Sequence, residues 1–156
     1  MKRAILFLIV ITTISEGCKK YEDGPCISFR SAKSKFKGKH TLVKYTVDGN
    51  DSLNLFYEEL GLSFNFIYDD VNLANVIVLN GMKKDGTTAD LYIGWELTEH
   101  NKIFKVLEGT GGASKGTGVF KKNITPEWEI IKLKLNDKIM KTTYNGKEYL
   151  IELKPD

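Results

Sequence analysis

The chain has 156 residues, a formal charge of +3, and lysines that alternate with acidic residues along most of its length. That length fits one ordinary domain, and the slight basic excess lacks the concentrated basic face that nucleic-acid binding requires. Cys18 and Cys26 are the two cysteines, and with Cys18 taken up as read below, Cys26 is left alone and no internal disulfide framework is expected.

Lys2 and Arg3 open the chain and are followed by an apolar run from Ala4 to Ile14, in which Thr12 and Thr13 are the polar members. A positive start and a short apolar stretch predict an export signal. A membrane-spanning helix needs about 20 apolar residues, and this run stops near half of that. Ile14-Ser15-Glu16-Gly17-Cys18 then resembles the lipobox of bacterial lipoproteins, with Glu16 where a small residue is usual and the aliphatic residue one place further out. The resemblance implies removal of residues 1–17 and lipidation of Cys18 by a diacylglycerol thioether and an amide-linked acyl chain. Each buried methylene contributes about 0.8 kcal/mol, so two or three chains anchor stably where one does not. Lys19, a non-acidic residue after the lipidated position, implies the outer membrane. The acidic step Tyr21-Glu22-Asp23 is similar to short signals that send some lipoproteins to the cell surface.

Residues 18–30 carry Asp23, Gly24 and Pro25 without periodicity and read as a tether that leads to a domain over 31–156. Cys26 falls in this tether with no flanking nucleophile motif. The run Arg30, Lys33, Lys35, Lys37 and Lys39 reads as a solvated face close to anionic headgroups. Ser31 is placed to cap one or two helical turns ending at Phe36.

Beyond Gly38 the pattern becomes β. His40 to Val47 closes at the turn Asp48-Gly49-Asn50-Asp51. Leu62, Phe64, Phe66 and Tyr68 alternate with polar residues, as a half-buried strand does. Val76 to Leu79 ends at Asn80-Gly81, and Lys83 to Gly86 turns. Leu91, Ile93, Trp95 and Leu97 alternate, Thr98 to Asn101 turns, and Ile103 to Leu107 follows. Gly109 to Gly118 reads as a long glycine-rich loop. Trp128 to Leu135, Ile139 to Tyr144 and Glu148 to Leu153 complete the set, the last two joined by the hairpin turn Asn145-Gly146. About eight short strands with turns between neighbours predict an all-β fold. Sequential hairpins favour an antiparallel up-and-down barrel, because closure removes exposed edges.

The stretch Cys18 to Pro25, the basic segment after it, Phe36-Lys37-Gly38-Lys39, Asp48-Gly49-Asn50-Asp51, Trp128-Glu129-Ile130 and Tyr149-Leu150-Ile151-Glu152-Leu153 together resemble a group of small bacterial lipoproteins with a lipocalin-like domain. The resemblance spans nearly all of the chain after residue 17 and implies a lipocalin-like barrel with a short N-terminal helix. The chain departs from the group at His40, where a tryptophan normally plugs the closed end of the barrel.

No linear signature of catalysis stands out. The glycine loop has Ser114 before Lys115 where a phosphate cradle needs glycine, and no helix pattern follows it. Asp48, Asn50, Ser52, Asn54 and Glu59 copy the spacing of a calcium loop, but Leu53 holds the position that demands glycine; a hairpin turn followed by a strand is the expected structure. His40 and His100 lack the companions of a zinc site, and no metal or cofactor is expected. Phe64, Phe66, Tyr68, Trp95, Trp128 and Tyr149 are the candidate lining of the barrel interior, which is either filled by side chains or open to one small apolar ligand. The expectation is a non-catalytic, membrane-anchored protein that binds another envelope component. The alternative is a carrier of a small hydrophobic molecule in the barrel mouth.

Overall fold

The computed structural model describes residues 31–69, 74–79, 81–88, 91–109, 118–120 and 125–156. The expected leader, lipidated Cys18, tether and Cys26 all lie outside these residues, as does most of the glycine-rich loop.

Ser31 starts α1 (Ala32–Phe36) by accepting a hydrogen bond from Ser34 N at 3.2 Å. Gly38, at φ +106°, then turns the chain into β1 (Gly38–Val47). Asp48 and Gly49 carry positive φ and reverse it into the two-residue β2 (Asn50–Asp51). Six of the next seven strands follow one another as a simple meander: β3 (Ser63–Asp69), β4 (Ala74–Leu79), β5 (Leu91–Thr98), β6 (Ile103–Gly109), β7 (Glu127–Lys134) and β8 (Asp137–Tyr144). The seventh, β9 (Lys147–Pro155), pairs with β8 across the Asn145-Gly146 turn and also with β1. That last pairing runs from His40 opposite Pro155 to Val47 opposite Tyr149. The result is a closed antiparallel barrel of eight strands, with β2 as a short return hairpin on β1. Closure satisfies the hydrogen-bonding groups that an edge strand would leave open.

One expectation is corrected here. Residues 53–60 were expected to continue from the turn as strand, and they form a second helix, α2 (Leu53–Leu60). Asp51 Oδ1 accepts a hydrogen bond from Leu53 N at 2.9 Å, which starts the helix, and Gly61 at φ +73° ends it. Phe56 and Leu60, one turn apart, are both fully buried and fasten α2 to the barrel. The calcium-like spacing therefore straddles a hairpin and a helix. Asp48 Oδ1 is engaged by Glu148 N at 2.8 Å and Asp51 by the helix start.

Alternation along each strand sends one set of side chains inward. Leu42, Tyr45, Phe64, Phe66, Ile77, Leu79, Ile93, Trp95, Phe104, Trp128, Met140 and Ile151 belong to a single buried cluster. Burying each large side chain contributes about 1.5–3 kcal/mol, so this column is the main source of stability.

Candidate functional site

Both ends of the barrel are filled, each by a different element. At the first end, α1 inserts Phe36. Its ring lies 5.4 Å from Phe66, 5.4 Å from Trp95 and 5.1 Å from Phe104. This phenylalanine closes the end that a tryptophan at position 40 would plug. His40 sits beside it, buried, with its ring edge-on to Phe66 at 5.3 Å and Nδ1 3.1 Å from Gly38 O. Burial, and then the charge of Lys138, pull the His40 pKa down to about 4. Lys138 points inward from β8, has no exposed surface, and curls back so that Nζ donates to Leu135 O at 3.0 Å. Burial pulls its pKa down to about 8, against the raising effect of Asp137. Lys35 ties α1 to the same rim by donating to Leu133 O at 3.3 Å.

At the second end, α2 and the turn Gly118–Phe120 reach over the opening. Phe56 meets Tyr45 at 5.2 Å and Phe64 at 5.7 Å. Phe120 stacks on Trp128 at 5.4 Å and meets Phe56 edge-on at the same distance. The chain between α2 and β3 crosses the chain after β4 so closely that a Cβ on Gly61 would lie 2.6 Å from the Gly81 backbone. Both positions are therefore held to glycine by contact.

The candidate lining residues can now be placed. Phe64 and Phe66 stack at 6.3 Å; Phe66 and Trp95 meet edge-on at 5.7 Å, so these three form one wall. Trp128 belongs to the second end with Phe120, and Tyr149 lies 6.3 Å from Tyr45. The side chain of Tyr68 lies outside the described residues. Phe36, Phe56, Phe104 and Phe120 complete the column and were missed by strand-by-strand reading. Three of them sit on elements other than alternating strands, or outside the runs that were scored. The Ser31 cap had marked α1, and the i, i+3, i+7 spacing of Leu53, Phe56 and Leu60 is the signal that could have marked α2.

The outside of the barrel is divided. On β6 to β9 the outward positions carry ion pairs: Lys105 with Glu127, Lys141 with Glu129, Lys132 with Asp137 and Lys154 with Glu152. On β3 to β5 the outward positions around Ile67, Val76 and Tyr92 are uncharged, and Glu96 near the end of β5 bounds them. Ile67 pairs with Val76, Val78 with Tyr92, and Val76 with Gly94. Leu107 of β6 lies over Gly94, so close that a Cβ there would be 3.1 Å from the Leu107 Cβ. Ile67 and Tyr92 are exposed, at 39% and 43%. The result is an apolar stripe across four strands. Among the described residues, no group of three or more His, Cys, Asp or Glu side chains is arranged to hold a metal ion.

No family model matches the chain, and no curated protein matches it. Among solved structures the fold is similar to that of a lipocalin-like protein from Bacteroides uniformis, at 12% identity and a TM-score of 0.46, over 78% of this chain and 99% of that one. The barrel itself is defined by its own strand pairing, closed between β1 and β9.

Proposed function

We propose that this protein is a non-catalytic docking subunit of the cell envelope, held at the outer membrane through lipid on Cys18. Its occupant is another envelope protein that offers an uncharged, apolar face to the stripe formed by Ile67, Val76, Tyr92 and Leu107. The observation that carries this reading is the division of the outer wall. Ion pairs cover one side, and the other side leaves Tyr92 and Ile67 open to solvent beside half-buried Val76 and Leu107. Exposed apolar surface that is contiguous and free of charge marks interaction sites more often than chance, and aromatic anchors such as tyrosine dominate interface energies. The interior supports the same reading, since the aromatic column occupies the space in which a carried molecule would sit.

The test is affinity capture from the native host, followed by native mass spectrometry, for the wild type and two variants. Ile67→Lys combined with Tyr92→Glu should lose a co-purifying protein that Lys141→Glu, on the ion-paired side, retains. Equal capture by both variants would remove the stripe from consideration. A small molecule retained by the wild type, in place of a protein, would instead establish carriage of a hydrophobic ligand.

A further inference from the structure

Where α1 crosses the first end of the barrel, it leaves a half-open cleft of about 260 Å³ against the ends of β3, β4 and β5. The walls differ in chemistry. Phe66, Ile67 and Trp95 supply an apolar side, Asn75 a neutral polar group, and α1 with its C-cap brings Lys33 and Lys37 to the other side. Neither lysine is in an ion pair among the described residues, and no described acidic side chain lines the cleft. Trp95 is only 4% exposed, and its indole N–H is buried without an acceptor among the described residues. A buried donor without a partner is unfavourable, so an acceptor supplied from outside the chain is favoured beside it.

We propose that this cleft binds a small anionic amphiphile, an aromatic carboxylate with a second oxygen at the opposite end of its ring. The carboxylate meets Lys33 and Lys37, the ring lies against Phe66, Ile67 and Trp95, and the far oxygen accepts from the Trp95 indole. The size follows from the volume. The cleft falls just below the ~300–1,000 Å³ of pockets for drug-sized ligands, which selects a molecule of about ten non-hydrogen atoms. Ligands that small bind with Kd on the order of 0.1–1 mM. The site shares Ile67 with the apolar stripe and lies at the opposite end of the barrel from the one that α2 covers.

The chain has two tryptophans, Trp95 and Trp128, so tryptophan-selective ¹⁵N labelling of the full chain gives two indole resonances. Trp128→Phe assigns them by elimination without touching the cleft. Titration with 4-hydroxybenzoate should move the Trp95 resonance and leave Trp128 in place. Benzamide, the neutral counterpart of benzoate, should bind about tenfold more weakly than benzoate. The double variant K33E/K37E, which alters only exposed side chains, should weaken 4-hydroxybenzoate by about tenfold or more. Movement of Trp128 alone, equal affinity for benzamide and benzoate, unchanged affinity in the double variant, or no movement at all would each overturn the assignment.

Discussion

His40 and Lys138 are basic side chains buried at the end of the barrel that α1 closes, and neither makes an ion pair among the described residues. Each is held below its ordinary pKa, chiefly by burial. Between pH 4 and 6.5 the unfolded chain therefore binds a proton at His40 that the folded protein refuses. Stability falls as pH drops through that window, by at most about 3 kcal/mol. The same sign applies to Lys138 between about pH 8 and its ordinary value of 10.5, where stability rises with pH. Urea midpoints measured across pH should show a shallower acid-side loss in His40→Gln than in the wild type. Identical slopes would mean that the His40 ring reaches solvent. Phe36→Ala removes packing instead of a titrating group. It empties a fully buried site among three aromatic rings and should cost about 3–5 kcal/mol in chemical denaturation. The plug at this end was only half legible beforehand. The resemblance pointed to position 40, and the ring that fills the space comes from four residues earlier.

At the scale of elements, strands were far more legible than helices. Most strands alternate between polar turn residues, and the turns at Asp48-Gly49 and Asn145-Gly146 adopt the positive φ that their composition demands. The helix α2 was hidden because its eight residues follow a hairpin signal, and Asp, Ser and Asn there read as loop. Its apolar spacing becomes informative only once a barrel end is present for Phe56 and Leu60 to enter. The glycine contact that fixes α2 gives a sharp test. Gly61→Ala adds a Cβ 2.6 Å from backbone and places alanine at φ +73°, so it should destabilise the fold by more than about 2 kcal/mol. Gly146→Ala, also at positive φ but with open space around the added Cβ, should cost about 1 kcal/mol. Comparable losses at the two positions would show that backbone conformation alone, and not the crossing of two chain segments, accounts for Gly61. Of the candidate lining, Phe64, Phe66 and Trp95 could be grouped from alternation. Their division from Trp128 could not, because it depends on which end of a strand each residue occupies once all eight are wound into a ring.

For the whole molecule, the proposed anchoring and docking both turn on Cys18. If Cys18 carries the acyl chains, Cys18→Ala should move the protein from the membrane fraction to a soluble one after cell fractionation. Retention in the membrane with the leader attached would assign the anchoring to Ala4–Ile14 instead. The stripe and the lipid then act together. Anchoring confines the barrel to a thin layer beside its partner, which raises the local concentration and lets a modest apolar patch suffice.

The seam between β1 and β9 joins the earliest strand of the domain to the latest. Until synthesis delivers Pro155 to a place opposite His40, neither strand has its neighbour on that side, and seven strands stay as an unrolled ribbon with two raw borders. Chain closure over such a separation is slow, and an unpaired border invites pairing with other chains. A protein built this way is exposed to misassociation until its last strand is in place, and removal of its last ten residues should yield aggregates in place of a smaller folded domain.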